Sequence, residues 1–260
     1  MQTVAKRLNY MWRVAATGVA FFLFGLGGLV LGLFFMPLIW VYRSKPDLLG
    51  QKLRAIISAS FRLFVNYLAV VGILEYHLHH PERLHGAQLV VANHPTLLDV
   101  VFLVSFMPNA VCVLKETLFH RPSIGFVVRN AGYISNKDPQ TSIDDCVAAL
   151  EHGESVIIFP EGTRSTPGQS SKLHRGAAYI SMQAQVPMRP IHISCVPSSL
   201  TKAEKWYQIP DRKMQFDFTV ATQIDQQQDL QADSRGLQAR SATEQLNQAL
   251  FKESSHAAHG

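Results

Sequence analysis

The chain has 260 residues, of which 47% are hydrophobic, and a formal net charge of +5. This length suits one domain of ordinary size with an appendage, and the positive charge favours an anionic partner: a membrane surface, a phosphorylated small molecule, an acidic carrier protein or nucleic acid. The three scattered cysteines, Cys112, Cys146 and Cys195, exclude a disulfide framework and a zinc-binding spacing, and indicate thiols of a reducing compartment.

The first predicted element is an apolar run at residues 14–42, which contains no charged residue and is flanked by basic residues on both sides. The run exceeds the roughly 20 residues that span a bilayer and the roughly 7–15 of a signal peptide. Four glycines in its middle and Pro37 beyond them offer a bend. A single span and a hairpin of two short helices in one leaflet are both compatible with this pattern. The basic flanks favour the hairpin, with both ends on the cytoplasmic side.

Residues 55–74 form a second apolar stretch, interrupted by Arg62 and preceded by Arg54. The pattern predicts a helix that lies at the membrane interface or packs under the following domain, and it does not separate these two placements. Residues 1–72 are therefore expected to be a membrane-anchoring helical segment, and residues 73–260 a separate α/β domain.

From residue 73 onward, short apolar runs alternate with helical patterns. Strands are predicted at residues 73–79, 89–92, 110–115, 133–135, 155–159, 188–194 and 214–222. Helices are predicted at residues 97–107, 124–131, 142–152, 174–185 and 235–251. This alternation predicts an α/β fold with a mixed central sheet flanked by helices, with a solvated connection at residues 225–234 and a frayed tail at 254–260.

The first polar motif is Asn93-His94-Pro95-Thr96-Leu97-Leu98-Asp99, which directly follows a predicted strand. In α/β folds, chemistry is concentrated at the turn where a strand ends and a helix begins. His94 is a candidate base, and Asp99 a candidate carboxylate that orients it. Thr96 and Asp99 also match a capping box, in which the carboxylate serves only the free N–H groups of the helix start.

The second polar motif is Phe159-Pro160-Glu161-Gly162-Thr163-Arg164-Ser165, which follows the strand at residues 155–159. Pro160 and Gly162 predict a tight turn. A turn alone leaves Glu161 and Arg164 unexplained, whereas a carboxylate and a guanidinium on one loop suit a phosphate and its neighbouring hydroxyls. The downstream residues Lys172, His174 and Arg175 either extend this anion site or form a solvated face.

These two motifs, in this order and each at a strand end, closely resemble those of the glycerolipid acyltransferases of the 1-acyl-sn-glycerol-3-phosphate acyltransferase type. Two further segments, residues 115–119 (KETLF) and 186–191 (VPMRPI), resemble additional blocks of the same family. The resemblance covers about residues 74–196, and an apolar N-terminal anchor is also a feature of the family.

The resemblance implies that His94 takes a proton from an acceptor hydroxyl as the hydroxyl attacks an acyl thioester, while Asp99 holds the imidazole tautomer. It also implies that Glu161, Gly162 and Thr163 help to bind the acceptor and that Arg164 pairs with its phosphate. No covalent acyl-enzyme, cofactor or metal is expected, and the chain has no Gly-x-Ser-x-Gly elbow that would supply a serine nucleophile.

The chain departs from the family pattern between the two motifs. The family has an arginine for the acceptor phosphate after a glycine and an apolar strand, whereas this chain has Gly132-Tyr133-Ile134-Ser135-Asn136-Lys137. Lys137 or Arg129 would have to supply the positive charge, together with Lys115, although an ammonium does not reproduce a bidentate guanidinium. The expected acceptor is 1-acyl-glycerol-3-phosphate, and another lyso-lipid, such as an amino-acid lipid, is the alternative.

The expected partners are acyl-CoA or acyl carrier protein as donor, a lyso-lipid acceptor and the bilayer. The expected location is a bacterial-type inner membrane with the site on its cytoplasmic face. Catalytically silent lipid binding or scaffolding is the competing function. Nucleic-acid binding is disfavoured, because the basic residues do not cluster with aromatic residues in a recognisable module.

Overall fold

The computed structural model describes residues 2–165, 172–202, 204–225 and 234–251, with side chains from residue 7 onward. Most of the predicted connection, at residues 226–233, and the whole predicted tail, at residues 254–260, lie outside the described residues. Helix α1 (Gln2–Tyr42) and helix α2 (Pro46–Val70) come first, and seven strands with six further helices follow.

The apolar run forms one unbroken helix, so the prediction of a hairpin within residues 14–42 is wrong. An apolar segment satisfies its backbone N–H and C=O groups best within a continuous helix, and Pro37 removes only one of those hydrogen bonds. The chain reverses after Tyr42, where Lys45 N–H donates to Tyr42 O at 2.9 Å, and α2 returns alongside α1. The reversal therefore lies between the two predicted apolar helices.

Of the two placements left open for the second apolar helix, the structure shows the packed one. Pro46 begins α2, and the buried residues Leu53, Ile57 and Leu68 join the domain core. Arg54 is buried and donates to Asn109 Oδ1 at 3.0 Å and to Ala131 O at 3.1 Å. It also forms an ion pair with Glu154, as a buried charge requires. α2 is thus fastened to the domain that follows it.

Two helices, Arg7–Tyr42 and Pro46–Val70, are long and apolar enough to cross a bilayer, with mean hydropathies of 2.4 and 1.4. Large apolar side chains on α1 face outward, among them Phe22, Leu33 and Trp40, which are 66–72% exposed. An exposed apolar surface of this extent is typical of membrane or protein contacts. The two helices therefore suggest association with a membrane.

The seven strands form one mixed sheet, as predicted, in the order β1-β7-β6-β2-β5-β3-β4. In chain order they are β1 (Leu74–His79), β2 (Leu89–Ala92), β3 (Ala110–Leu114), β4 (Ile134–Ser135), β5 (Ser155–Ile158), β6 (Met188–Val196) and β7 (Met214–Val220). The strands β2 to β6 run parallel, whereas β1 and β7 run the opposite way. Five strands therefore end at one edge, here called the carboxyl edge.

Helices cover the sheet in two groups, which agrees with the predicted α/β architecture. They are α3 (Asp99–Phe106), α4 (Glu116–Phe119), α5 (Gly125–Asn130), α6 (Pro139–Glu151), α7 (Gly176–Ala184) and α8 (Arg235–Phe251). α3 is backed by α2, while α6, α7 and α8 pack side by side. α6 begins three residues before its predicted start, because Asp138 accepts the Thr141 N–H at 2.8 Å and caps the helix.

Contacts along α1 show that this helix follows the carboxyl edge. Arg13 donates to the carbonyl of Arg212, which precedes β7, and a side chain at Gly28 would collide with the carbonyl of Ser123, beyond β3. β7 and β3 lie four strand positions apart, which is about 19 Å. The 15 residues from Arg13 to Gly28 rise about 22 Å along a helix. α1 thus crosses the edge at which the parallel strands end.

Candidate active site

His94 lies in the turn that leads from β2 into α3. The preceding residue, Asn93, is buried and extends the sheet with its side chain: its Oδ1 accepts the Ile193 N–H at 2.7 Å, and its Nδ2 donates to Ile193 O at 2.8 Å. This pair fixes the end of β2 against β6. Because β2 lies near the middle of the sheet, His94 sits at the centre of the carboxyl edge.

His94 and Asp99 are in direct contact. His94 Nδ1 lies 2.8 Å from Asp99 Oδ2, and the Asp99 side chain is fully buried. The same oxygen accepts the Thr96 N–H at 2.7 Å, and Asp99 Oδ1 accepts the Thr96 hydroxyl at 2.6 Å. The two interpretations of this motif are therefore compatible, because one carboxylate stabilises the turn and contacts the imidazole.

The surroundings of Asp99 set its charge and the tautomer of its partner. Burial raises the pKa of the Asp99 carboxyl, while the hydrogen bonds from His94 and Thr96 oppose that rise by favouring the ionised form. An ionised Asp99 requires His94 Nδ1 to carry the proton, which leaves Nε2 as the basic nitrogen. Among the described residues, no hydrogen-bond partner contacts Nε2.

Phe159 supports the imidazole from one side. Its ring centroid lies 4.3 Å from that of His94, with an angle of 30° between the planes. The His94 side chain is 16% exposed, so the ring is packed and still reachable. No role was predicted for Phe159 or for Asn93. Their position could have indicated one, since each occupies the boundary between a buried strand and a polar motif.

Two hydrogen bonds join the second motif to the first, and a third lies within the second motif. Glu161 is buried, and its Oε1 accepts the His94 N–H at 2.9 Å, while its Oε2 accepts the Ser165 hydroxyl at 2.8 Å. Ser165 N–H in turn donates to His94 O at 2.7 Å. Gly162 permits this turn with a φ of 68°, in the left-handed region. The two loops therefore meet at the ends of β2 and β5.

Arg164 fixes a third loop, which follows β6. Its Nη1 donates to Leu200 O at 2.8 Å and to Thr201 O at 2.9 Å. Leu200 O also accepts the Leu97 N–H from the turn between His94 and Asp99, at 3.1 Å. One nitrogen of the guanidinium thus donates its hydrogen bonds within the protein. No role was predicted for residues 197–201, which contribute to the site through backbone carbonyls.

The remaining predicted binding residues lie at the same edge but have fewer contacts. Lys115 and Lys137 follow β3 and β4, and both are exposed. Thr163 is half-buried beside Arg164. Arg129, the alternative source of positive charge, donates instead to the carbonyl of Phe119. Of the cations predicted on this side, the two lysines are therefore the ones that remain exposed.

A carboxylate accompanies these lysines. Glu116 accepts hydrogen bonds from the Ser135 hydroxyl and from His120, the latter at 2.9 Å. The hydrogen bond from Ser135 is the main cause that holds the pKa of the Glu116 carboxyl below its usual range, and the positive charge of Lys137 contributes. Lys172, His174 and Arg175 were predicted either to extend the anion site or to form a solvated face. Lys172 and Arg175 are exposed, and the backbone N–H of His174 donates to Pro160 O at 2.8 Å.

The geometry suits general-base chemistry more than nucleophilic catalysis by a thiol. Cys195, on β6, is partly buried; burial raises the pKa of its thiol to about 12, with a further contribution from the Asp99 charge. Such a thiol is a poor nucleophile near neutral pH. Within the described ranges, no group of three His, Cys, Asp or Glu side chains is arranged to hold a metal ion.

Comparison with known proteins agrees with this geometry. Residues 75–194, which contain both motifs and the strands that present them, match the family model described as Acyltransferase. The match covers somewhat less than half of the chain, so it shows a similarity to acyltransferases over this segment. The matched segment begins within β1 and ends within β6, and it includes every predicted site residue.

Two curated relatives of the matched segment carry the same enzyme name. The chain is 30% identical over 113 residues to a 1-acyl-sn-glycerol-3-phosphate acyltransferase of Helicobacter pylori, which covers 41% of this chain and 48% of the relative. It is 28% identical over 145 residues to the human beta enzyme of that name, covering 52% and 51%. The chain thus spans about half the length of these relatives.

A solved structure shares the fold. The 1-acyl-sn-glycerophosphate acyltransferase PlsC of Thermotoga maritima superposes with a TM-score of 0.60 at 19% identity, covering 86% of this chain and 95% of that one. This likeness shows that the mixed sheet, its flanking helices and the apolar N-terminal helices form one known architecture.

Proposed function

We propose that this protein is a membrane-bound O-acyltransferase that moves a fatty acyl group from an acyl thioester to the free hydroxyl of a lyso-lipid. The proposed acceptor is 1-acyl-glycerol-3-phosphate, which would give phosphatidic acid. The contact between His94 Nδ1 and the buried Asp99 carboxylate carries the proposal. The names of the relatives support the choice of acceptor.

The proposed reaction uses His94 as a general base. Nε2 removes the proton of the acceptor hydroxyl as its oxygen attacks the thioester carbonyl, and Asp99 stabilises the imidazolium that forms. When the tetrahedral intermediate collapses, the carbon–sulfur bond breaks and the proton passes from His94 to the departing thiolate. No acyl group is attached to the protein. A positioned base of this kind contributes about 10²–10⁴-fold to a rate.

Acceptor binding is assigned to the same edge. Because both oxygens of Glu161 accept hydrogen bonds from the two loops, its proposed role is to hold the acceptor-binding turn formed with Gly162 and Thr163. Arg164 and the exposed side chains of Lys115 and Lys137 are proposed to bind the acceptor phosphate. Cations in these positions suit a phosphate, although only Arg164 offers bidentate geometry.

The course of α1 supports access from a membrane. This helix follows the carboxyl edge, and its outward side chains are apolar. A bilayer that contacts α1 would therefore lie beside the edge that holds His94, so that a lyso-lipid reaches the base without leaving the membrane. We place the site on the cytoplasmic face of a bacterial-type inner membrane, because acyl-CoA and acyl carrier protein are soluble in the cytoplasm.

The experiment that tests this proposal is an acyl-transfer assay with the purified full chain in phospholipid vesicles. Radiolabelled acyl-CoA and acyl carrier protein are each offered with a panel of lyso-lipids, with and without a phosphate. The expected result is labelled phosphatidic acid from the wild type and from His152→Ala, an exposed histidine at the end of α6. His94→Ala should lose about 10²–10⁴-fold of the rate.

Two outcomes would contradict the proposal. Transfer at the wild-type rate by His94→Ala would remove the base from the mechanism. A folded wild-type protein that acylates no lyso-lipid with either donor would return the chain to a lipid-binding role. If product forms only from an acceptor without a phosphate, the proposed acyl transfer is supported and the proposed acceptor, 1-acyl-glycerol-3-phosphate, is wrong.

A further inference from the structure

A cavity of about 460 Å³ opens at the start of α1, away from His94. Its walls come from α1, from the turn between α2 and β1, and from the residues that precede β7, and they include Trp12, Arg13, Asp211, Arg212 and Lys213. No residue of the proposed catalytic or acceptor-binding set contributes to it.

The cavity and the proposed acceptor-phosphate site lie on opposite sides of β2. β7 and β1 lie two and three strand positions from β2 on one side, whereas β3 and β4, which Lys115 and Lys137 follow, lie two and three positions from it on the other. The phosphate and the free hydroxyl of 1-acyl-glycerol-3-phosphate lie on neighbouring carbons of one glycerol. A phosphate in this cavity therefore belongs to a different molecule from the acceptor whose hydroxyl is at His94.

Arg13 is the residue of the cavity whose charge and hydrogen-bonding groups are incompletely satisfied within the protein. Its side chain is only 4% exposed, and its Nη2 donates to Arg212 O. Its Nε is buried without a hydrogen-bond partner, and among the described residues no carboxylate oxygen lies within 4.0 Å of the guanidinium. Buried donors are nearly always satisfied, and a buried guanidinium is normally paired with an anion.

The other charges around the cavity also favour an anion. Arg212 and Lys213 are exposed and add two positive charges, while Asp211 supplies one negative charge. Lys213 also lies 3.5 Å from Glu75, an exposed pair that contributes little. The cavity lining therefore has a net charge of +2.

The position of the cavity along α1 identifies the source of the anion. Arg13 is the last charged residue before the uncharged run at residues 14–42. Tyr10 and Trp12 are 39% and 57% exposed at the same level, and Trp12 donates to Val71 O at 3.1 Å. Aromatic and basic residues at the end of an apolar helix mark the level of the lipid head groups. The anion available at that level is a phospholipid phosphate.

We propose that this cavity binds the phosphate of an anionic glycerophospholipid of the surrounding membrane, in addition to the acceptor bound near His94. The phosphate lies between Arg13, Arg212 and Lys213, whose positive charges attract it. The bound lipid fastens α1 to the segment before β7, and the same connection between β6 and β7 begins with the carbonyls that Arg164 holds.

Native mass spectrometry of the detergent-solubilised full chain tests this site without any acyl transfer. The probes are phosphatidylglycerol and phosphatidylcholine with identical acyl chains, and glycerol 3-phosphate as the head group without a membrane anchor. The wild type is expected to retain one phosphatidylglycerol with about tenfold preference over phosphatidylcholine, as expected for hydrogen bonds to a charged group. Glycerol 3-phosphate should compete only weakly. If it binds as tightly as the lipid, the site is for a soluble phosphate and the proposal fails.

Variants distinguish the cavity from general attraction of lipid to basic residues. Arg13→Gln should abolish the preference. Arg212→Gln should reduce the preference about threefold to tenfold. This substitution keeps the backbone carbonyl to which Arg13 donates, so the variant also tests the site if Arg13→Gln does not fold. Asp211→Asn should strengthen binding. Arg43→Gln, an exposed charge at the other end of α1, is the matched control and should change nothing.

Unchanged phosphatidylglycerol binding in both Arg13→Gln and Arg212→Gln would overturn the site, as would an equal loss in Arg43→Gln. Because binding is measured directly, a failure here leaves the proposed acyl transfer untouched. Conversely, an inactive but lipid-selective protein would support the cavity and contradict the proposed enzyme.

Discussion

The central and outer parts of the carboxyl edge differ in how their polar atoms are satisfied. Around His94, the polar groups of Asp99, Thr96, Glu161 and Ser165 contact one another within the protein. At the ends of β3 and β4, Lys115 and Lys137 are exposed. The proposed catalytic centre is thus already assembled by contacts within the protein, whereas the side proposed to bind the acceptor phosphate presents exposed charges. Preorganised groups contribute most to reaction rate, and mobile exposed charges contribute mainly to binding.

The largest effect expected from this difference is that of Asp99→Asn. Asn can still accept the Thr96 N–H at the helix start, so the melting temperature should change little. It cannot stabilise an imidazolium by charge and it permits the wrong tautomer, so kcat should fall by about 10³–10⁴-fold. Steady-state kinetics and thermal unfolding of the same preparation measure both quantities.

Thr96→Val is the matched control for the capping role of the same carboxylate. It removes the hydroxyl that donates to Asp99 and accepts the Leu98 N–H at 3.1 Å, and leaves the contact with His94 in place. It should cost about 1 kcal/mol of stability with a smaller loss of rate. A normal kcat in Asp99→Asn would instead reduce Asp99 to a capping residue.

Glu161→Ala is expected to have the next largest effect, on stability as well as on rate. It leaves the partly buried His94 N–H and Ser165 hydroxyl without their acceptor. Each unsatisfied group costs about 1–3 kcal/mol, so the free energy of unfolding should fall by about 2–4 kcal/mol. Thermal or denaturant unfolding measures this loss.

Ser165→Ala isolates one of those contacts, since it removes the hydroxyl together with the need for its acceptor. Its expected cost is about 1 kcal/mol. If Glu161→Ala is no less stable than Ser165→Ala, the two loops are held by other contacts, and the central part of the edge is less rigidly arranged than its hydrogen bonds indicate.

Arg164→Lys tests a residue that belongs to both parts of the edge. Lysine can reach one of the two carbonyls at Leu200 and Thr201 but cannot reproduce a planar guanidinium. If Arg164 also binds the acceptor phosphate, KM for the phosphorylated acceptor should rise about tenfold and KM for the acyl donor should rise less. Equal effects on both substrates would indicate that Arg164 only shapes the loop after β6.

The features of this site that could be predicted are those encoded in short local sequence patterns. The uninterrupted apolar runs of β2 and β5 predicted strands, and the polar motifs that follow them were predicted to lie at the ends of those strands. Their position marked His94 and Asp99 as candidates, and the resemblance to a family supplied the roles that are proposed for them. Both kinds of information are contained in short contiguous stretches of sequence.

The parts that were missed depend on tertiary contacts without a local pattern. The carbonyl of Leu200 serves both Arg164 and the turn after His94, and any residue type can supply a carbonyl. Likewise, Asn93 joins β2 to β6 across 100 positions of sequence. The glycines in the apolar run predicted a bend, whereas the need to satisfy backbone groups maintains one helix in α1.

The smallest effects are expected on the exposed side of the edge. Lys137→Gln removes a charge from a side chain that is exposed and remote from the hydrogen bonds around His94. KM for a phosphorylated acceptor should rise about threefold to tenfold, with kcat and the melting temperature unchanged, since surface charge pairs contribute about 0–1 kcal/mol and direct phosphate contacts contribute more. Lys115→Gln should behave in the same way.

The same variants assayed with a lyso-lipid that lacks a phosphate provide the control, because their KM should not change. A fall in kcat with either acceptor would show that these lysines act on the reacting atoms, and would remove the distinction between a preassembled centre and a side completed by its ligand.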